Sequence, residues 1–449
     1  MPCVNVDCGS FYFALRTRVV WVVLLGGSFI ASSATVQAES LSAAVQQVID
    51  SHPNVRSSAA LLEASAERVR QAKSNFYPTI GLQAASNEAQ DSQLGTRLKR
   101  STRNADAFLR WNLFRGLADY HSVRMAKRDN EAASEDLADA HERVALQVAA
   151  SYLDVLRLRR RLAVAEAYVE QTARLVGDVG KLVAAGKTAP SDIDQVDVGH
   201  IEGQWEVAQL RGELAGAEQG YRLLTGALPG ELSEPGLEIA MDAVSQDDLL
   251  TQVLATNPRI LASQARAAAR TEEVGAAGGA LFPRLDLELR KRLLSDIKPD
   301  PVIESRESAQ VSLNYEMPLG GSSFSAKREA QARMSAAFAD RDQAVLEAQT
   351  SSTQLWNVWR EARQIAPTLA RRAQASDNVV SAYDQQFNAG RRSLQDLIAI
   401  RDEHRRTRAD VIDNGNAQGL GAAQILALMG RLRESLHVES APDGIVEDH

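Results

Sequence analysis

Four segments of the chain alternate apolar with polar residues, which is the period of a β-strand whose successive side chains point to opposite faces. The alternation is clear in the second half of the chain and weaker in the first half. The expected strands cover residues 76–86, 104–114, 281–292 and 308–318. The residues assigned to their apolar faces are Leu285, Leu287, Leu289, Val311, Leu313, Tyr315 and, in the first half, Trp111.

Each pair of strands is joined by a polar stretch, Asn87–Thr102 or Leu294–Glu307, that predicts a loop. The pairs have two interpretations. In a soluble protein they are hairpins with one face on the core and the other in water. In a membrane the apolar face contacts hydrocarbon and the polar face contacts water. The alternation by itself is compatible with both interpretations.

Long helices follow each pair of strands. From Val144 to Val183, apolar or small residues recur at alternating spacings of four and three for nearly six heptads, which predicts a coiled coil. The helix is expected over residues 117–184, or ~100 Å at 1.5 Å per residue. Its counterpart over residues 322–388 has a less regular seam and contains Pro367, which predicts a kink.

Both long helices end at a glycine, Gly186 or Gly390, which is the residue type that best adopts the left-handed cap of a helix. Return helices are expected over residues 190–225 and 392–430. Each half of the chain therefore contains a long helical hairpin with a glycine turn at its tip.

The second half of the chain repeats the first. Pro53 and Pro258, and Pro78 and Pro283, are both 205 positions apart, while Gly186 and Gly390 are 204 apart. A constant offset over such a length indicates a tandem duplication. We expect one repeat over residues 39–226, a linker over 227–245, a second repeat over 246–432 and a disordered tail over 433–449.

Residues 1–38 have the pattern of a secretory signal peptide. Arg16 and Arg18 precede the apolar run Val19–Ile30, and the small-residue motif Val36-Gln37-Ala38 predicts cleavage before Glu39. A membrane anchor is the alternative, although the run is shorter than the ~20 residues that span a bilayer. The only cysteines, Cys3 and Cys8, lie in this segment, so the exported chain is expected to carry neither a disulfide nor a lipid-anchor cysteine.

If the exported chain spans a membrane, only strands closed into a barrel can do so, because no later segment is apolar enough for a spanning helix. Four strands of about ten residues are too few, since the smallest such barrels have ~8 strands. A membrane barrel would therefore require several copies of this chain.

Composition and motifs argue against other classes of protein. The formal net charge of −8 disfavours nucleic-acid binding, and the cluster of Arg157 with Arg159–Arg161 is interpreted as a solvated helix face. The seven histidines show no metal-ligand spacing, and neither a nucleophile motif nor a phosphate-binding loop is present. We therefore expect no enzyme activity, no cofactor and no metal.

The sequence resembles the TolC family of outer-membrane export channels from about Leu41 to Leu432. The motifs that carry the resemblance are the duplication, the His-Pro or Asn-Pro that opens each repeat, and the Tyr-Pro or Phe-Pro before each strand pair. Two further marks follow the second strand of each pair: Trp111-Asn112-Leu113-Phe114-Arg115-Gly116 and Met317-Pro318-Leu319-Gly320-Gly321.

The resemblance implies a mainly α-helical fold with a membrane β-barrel portion. In such proteins three chains, each giving four strands, form a twelve-stranded β-barrel in the outer membrane, and their helical hairpins form an α-barrel across the periplasm. The implied partners are two further copies of the chain, outer-membrane lipid, a periplasmic membrane-fusion adaptor and an inner-membrane ABC or RND transporter. A soluble periplasmic coiled-coil adaptor is the remoter alternative.

The resemblance also implies a gate at the periplasmic end, where an arginine bonds a Thr-Asp pair with help from a tyrosine and aspartates ring the opening. These roles fall on Arg392, on Ser191-Asp192, on Phe387 and on Asp396. Phe387 lacks the hydroxyl and Ala399 replaces a second ring aspartate, which predicts a weaker gate. Alternatively, Asp192 and Asp396 only interact with the dipoles of the return helices.

The exported cargo is not defined by the sequence. The family serves type I protein secretion and multidrug or small-molecule efflux. The missing lipid-anchor cysteine favours type I secretion slightly, with efflux as the alternative.

Overall fold

A computed structural model describes residues 39–93, 96–236, 245–298 and 306–438. The predicted signal peptide (1–38) lies outside the described residues. So do residues 237–244 of the expected linker, 299–305 of the second expected loop and 439–449 of the expected tail.

The fold is mainly helical, and the two halves repeat the same order of helices and strands. Helices α3 and α7 both contain 67 residues, and helices α4 and α8 both contain 35. The described helices are α1 (Leu41–Ile49), α2 (Pro53–Ser74), α3 (Ala118–Ala184), α4 (Ser191–Thr225), α5 (Gln246–Thr256), α6 (Pro258–Gly278), α7 (Ser322–Asn388), α8 (Leu394–Leu428) and α9 (Leu432–Ser435).

Local sequence accounts for the helix starts. Pro53 and Pro258 occupy the first turn of α2 and α6, where a missing N–H costs nothing, and His52 and Asn257 cap these helices with their side chains. Ser393 caps α8, so this helix begins at Leu394 rather than at residue 392. Helix α7 continues through Pro367.

Helix α3 is the centre of the packing, with α2, α4, α6 and α8 against it. Its predicted seam is the buried side: Val144, Val148, Val155 and Leu158 are almost inaccessible to solvent. One core joins the middle of α3 to α1 and α9, and a second lies between α5, α7 and α8. Most of the apolar stabilisation therefore lies midway along the long helices.

The described strands form one antiparallel sheet in the order β1-β2-β3-β4. They are β1 (Thr79–Gln93), β2 (Thr96–Arg115), β3 (Arg284–Lys298) and β4 (Glu307–Asn314). The pairing of β2 with β3 joins the two repeats, and β1 and β4 form the edges.

The two expected loops, the last strand and the tail need correction. The stretch Asn87–Thr102 is mostly strand, because ladder pairing continues from Asn87 opposite Thr102 to Gln93 opposite Thr96, and backbone hydrogen bonds do not require apolar side chains. Likewise, β3 extends through the start of the expected loop Leu294–Glu307 to Lys298.

The strand expected over 308–318 ends at Asn314, so Tyr315 lies just beyond it, three residues before Pro318, which has no N–H to donate. The expected tail is ordered at its start, because Leu432–Ser435 is helical and Leu432 and Val438 are buried in the α3 core.

Candidate membrane-facing sheet and helix-tip gate

Apolar side chains form continuous rows across one face of the sheet. Ile80 is paired with Leu109, Leu109 with Leu289, and Leu289 with Ala309, so one row crosses four strands and both repeats. Paired residues share a face of the sheet. Two further rows on this face consist of Trp111, Leu287 and Val311, and of Phe114, Leu285 and Leu313. We call this surface the apolar face.

The apolar face is exposed in the single chain. Ile80 and Leu82 are 77% and 79% accessible, and Val311 and Leu313 are 65% and 68% accessible. A contiguous apolar surface of this kind is rare on a protein surrounded by water. The soluble-hairpin interpretation required this face to be packed on the core of the chain, and it is not.

The opposite face of the sheet is charged. Arg110 is paired with Glu288 and lies 3.3 Å from its carboxylate, while the Arg292 Nε donates to Asp106 at 3.0 Å. Asp106 is only 2% accessible, yet Arg290 and Arg292 both contact its carboxylate, which compensates for its loss of water. This polar face can contact water while the apolar face contacts hydrocarbon.

One aromatic ring lies on the polar face. Phe108 covers Gly81 of the neighbouring strand, where a Cβ would be 2.4 Å from the Phe108 ring, and the Arg110 guanidinium is 5.3 Å from the ring centre. Only glycine fits under this ring.

The two ends of the apolar face are polar or amphipathic. Toward the hairpin loops, Lys291 and Glu307 form a 2.8 Å ion pair. Toward the helices, the Trp111 indole donates a hydrogen bond to the Phe76 carbonyl at 2.9 Å. Aromatic side chains with a polar group favour the boundary between membrane and water. Exposed aromatic residues at this end also include Tyr77, Phe282 and Tyr315.

The edges of the sheet are open. Within the described residues, β1 pairs only with β2 and β4 pairs only with β3. The outer backbone N–H and C=O groups of an edge strand need a partner when water is excluded. The sheet therefore has two edges that a second copy could complete.

The helix tips have the predicted glycine turns in nearly identical geometry. Gly186 and Gly390 have φ of +68° and +67°. Lys187 N donates to the Leu182 carbonyl at 2.9 Å, and Arg391 N donates to the Gln386 carbonyl at 2.8 Å. This is the backbone pattern of a Schellman cap, and its repetition reflects the duplication.

Two of the three gate residues predicted on the second hairpin, Arg392 and Asp396, contact each other. The Arg392 guanidinium lies 3.7 Å from the Asp396 carboxylate and 3.7 Å above the centre of the Tyr383 ring. Phe387 packs in a small core at the tips with Val179, Val196 and other residues of both hairpins. The Asp396 backbone N–H is capped by Ser393 Oγ at 3.2 Å.

The gate residues predicted on the first hairpin have other partners. Asp192 accepts a hydrogen bond from the Thr188 hydroxyl, and Ser191 is the exposed first residue of α4. Within the described part of this single chain, no hydrogen bond or ion pair connects Arg392 to Asp192. Their pairing remains a prediction about contacts between hairpins or chains.

Tyr383 is a tip residue that the sequence analysis missed. It lies one helical turn before Phe387 and carries the aromatic face on which Arg392 stacks, a contact type that holds an arginine in one orientation. The spacing of four residues between Tyr383 and Phe387 was the available signal, since such residues share a helix face.

The arginine cluster is not a free solvated face, which corrects the sequence interpretation. Arg157 lies 3.4 Å from Asp413 of α8, and Arg159 contacts Glu218 of α4 at 2.8 Å. Arg159 also donates to the Pro229 carbonyl at 2.9 Å. The cluster joins three segments because α3 is surrounded by partners at this level, which a single-helix pattern does not reveal.

In the described part of the chain, every helix falls short of the length or the apolar character needed to cross a bilayer. The architecture combines two long helical hairpins with one amphipathic four-stranded sheet, as in the subunit of an outer-membrane channel. The chain belongs to the outer membrane efflux protein family, whose model matches residues 44–227 and 249–431. It is accordingly an outer-membrane protein and not an enzyme. The alternative of a soluble periplasmic adaptor is therefore wrong.

Two curated relatives align with the chain. The outer membrane efflux protein BepC of Brucella suis is 24% identical over 390 residues, covering 87% of this chain and 84% of BepC. Protein CyaE of Bordetella pertussis is 25% identical over 273 residues, covering 60% of this chain and 57% of CyaE.

Solved structures share the fold. The outer membrane protein VceC of Vibrio cholerae superposes with a TM-score of 0.75 at 17% identity, over 87% of this chain and 96% of that one. The CmeC outer membrane channel of Campylobacter jejuni gives a TM-score of 0.75 at 13% identity, over 87% of this chain and 85% of that one.

Proposed function

We propose that this protein is the outer-membrane channel of a tripartite export system. The observation that carries the proposal is the amphipathic sheet with an exposed apolar face, a charged opposite face and two open edges. In a bilayer, such edges are satisfied when β1 of one copy pairs with β4 of another.

Three copies close the barrel in this proposal. Three chains give twelve strands, and their hairpins give a helical duct whose length follows from the 67-residue helices α3 and α7, at ~1.5 Å per residue. The polar face, with Arg110, Glu288, Arg290 and Asp106, then lines the water-filled interior.

The partners in this proposal are a periplasmic membrane-fusion adaptor and an inner-membrane ABC or RND transporter. Type I protein secretion is the favoured export pathway. Cys3 and Cys8 are both remote from the predicted cleavage point, so a lipid anchor is not expected. Efflux of small molecules is the second candidate, supported by the relative BepC, which is named an efflux protein.

The gate in this proposal is polar and located at the helix tips. Arg392, oriented by Tyr383 and Asp396, reaches Ser191-Asp192 when the hairpins of the assembled channel close together. An exposed Arg–carboxylate pair contributes only ~0.2–1 kcal/mol, so contacts from a partner can open it. Three copies of Asp396 around the opening favour cations.

The experiment is a deletion strain complemented with the wild-type gene or with an Ala309→Lys variant, which places a charge at the centre of the apolar face. Loss of secreted protein from the medium, restored by the wild-type gene only, supports type I secretion. Increased sensitivity to small toxic compounds, restored in the same way, supports efflux. If neither phenotype depends on the gene, the export proposal is wrong.

A further inference from the structure

Glu39, the residue directly after the predicted cleavage point, is held by the backbone of a distant segment. Its N–H donates to the Glu231 carbonyl at 2.7 Å, and its carbonyl accepts from the Ser233 N–H at 3.1 Å. Together these bonds form a parallel bridge between Glu39 and Leu232. The chain at Glu39 therefore pairs with residues 231–233 through a single isolated β-bridge.

Two buried tyrosines complete the contacts of Glu39. The Tyr221 hydroxyl donates to the Glu39 carboxylate at 2.7 Å, and the Tyr152 hydroxyl lies 2.7 Å from the carbonyl oxygens of both Glu39 and Ser233. Tyr152 is 0% accessible and Tyr221 is 1% accessible. Burial, reinforced by the Glu39 carboxylate, raises the pKa of Tyr221, so this hydroxyl keeps its proton and remains a donor.

Each polar group of Glu39 that the cleaved chain would present has a partner. Cleavage after Ala38 would convert the Glu39 N–H into an ammonium with three donors, and a charged donor forms a stronger hydrogen bond to the Glu231 carbonyl than an amide does. The carboxylate and the carbonyl are already bound by phenol hydroxyls, which a leader peptide would not alter.

We propose that Tyr152, Tyr221 and the backbone of residues 231–233 form a binding site for the mature N-terminus of this chain. Its ligand is an extended peptide with a free α-amino group and an acidic first side chain, and Glu39 is that first residue. The site does not depend on the channel function proposed above.

The bound N-terminus acts as a clamp on the segment between the repeats. Arg159 holds the carbonyls of Pro229 and Gly230 from the side of α3, and Arg160 contacts Glu234. Glu39 holds the intervening residues through Glu231 and Ser233. The contacts of Glu39 with Tyr152 and Tyr221 therefore complete the attachment of this segment to α3 and α4.

The test combines the mass of the mature protein with hydrogen–deuterium exchange of the purified full-length protein in detergent. We expect a mature chain of residues 39–449. We also expect Glu39→Ala and Tyr221→Phe each to speed exchange of the peptide that contains Ser233 by roughly five- to tenfold, the effect of losing one buried hydrogen bond. Tyr77→Phe is the matched control, because Tyr77 is exposed and lies beside the sheet, outside this site. It should leave that exchange unchanged.

Glu39→Gln retains an oxygen acceptor for Tyr221 and should remain close to wild type. If Glu39→Ala is not recovered as folded protein, Tyr221→Phe carries the test, because it removes a single oxygen atom. A mature chain that begins at another residue, or unchanged exchange in Tyr221→Phe, would overturn the proposal.

Discussion

Leu109 of β2 lies directly opposite Leu289 of β3, so the two repeats share one sheet at the centre of its apolar face. Among the residues that the structure describes, each half contributes two strands to this sheet. The duplication therefore gives a four-stranded unit whose outer edges come from the first strand of one repeat and the last strand of the other. The single chain does not satisfy this unit by itself. Its edge strands need hydrogen-bond partners from other copies, and its apolar face needs contact with hydrocarbon.

Charge on the apolar face should be far more costly than charge on the polar face. Ala309→Lys places an ammonium beside Leu289 at the centre of the apolar face, whereas Gln310→Lys, one position later, lies opposite Glu288 on the charged side. A lysine facing lipid at mid-depth costs about 2–4 kcal/mol. Denaturant unfolding in phospholipid vesicles should show this loss for Ala309→Lys and little change for Gln310→Lys. Equal losses in both variants would contradict the assignment of the two faces.

A methyl group at Gly81 should disturb the polar face through Phe108. The added Cβ would lie 2.4 Å from the ring, so we expect Gly81→Ala to destabilise the folded sheet by about 1–3 kcal/mol. Truncating the ring removes the clash, so adding Phe108→Ala to Gly81→Ala should cost less than Phe108→Ala costs in the wild type. A double-mutant cycle of unfolding free energies measures this coupling, and strict additivity would be the contrary result.

The proposed gate should open when its charges are removed. Arg392→Ser combined with Asp192→Ala should raise single-channel conductance in planar bilayers, because the guanidinium no longer bridges the hairpins. Tyr383→Ala should raise it less, since the Arg392 charge remains but loses the ring beneath it. Arg391→Ser, at the neighbouring arginine, is the control. Unchanged conductance in the double variant would support the alternative in which Asp192 and Asp396 only interact with helix dipoles.

The C-terminal helix α9 should be anchored in a pH-dependent way by Glu142. This buried carboxylate of α3 accepts hydrogen bonds from the backbone N–H groups of Leu432 at 2.9 Å and Arg433 at 3.3 Å. Burial raises the pKa of Glu142 to about 7 from its ordinary 4.5, partly opposed by these two bonds and by the Arg433 charge. The other titratable groups near it are Asp139, whose own pKa is raised by burial, and His141, which contacts the Arg433 guanidinium at 3.2 Å.

Between pH 4.5 and about 7, the folded protein holds a proton on Glu142 that the unfolded chain does not hold. The stability contribution of Glu142 is therefore largest below pH 4.5 and falls as the pH rises to about 7, by on the order of 3 kcal/mol. Thermal unfolding of wild type and Glu142→Gln across this range measures the difference. The wild type should lose stability relative to Glu142→Gln as the pH rises, and parallel curves would exclude the effect.

The sequence predicted those features that depend on local periodicity. The seam from Val144 to Val183, the glycine turns and the apolar positions of the sheet all follow from spacing within one element, and the structure places them accordingly. The extension of β1 and β2 beyond Asn87 was missed because backbone pairing leaves little trace in side-chain pattern.

The sequence also did not predict contacts between residues that are far apart along the chain. The Tyr152 contact with Glu39 spans 113 positions and the Glu142 contact with Leu432 spans 290. Tyr383 was missed for a different reason, because the family pattern assigned the aromatic role at the tip to Phe387. Its position under Arg392 depends on how the guanidinium turns back along α7.

The central claim is that several copies of this chain join edge to edge to close the amphipathic sheet in a membrane. The most direct measurement is the mass of the purified protein in detergent, before and after heating, by light scattering corrected for bound detergent. We predict a trimer that separates into monomers on heating and that is recovered from outer membranes. A monodisperse monomer that is stable in aqueous buffer without detergent would contradict the account.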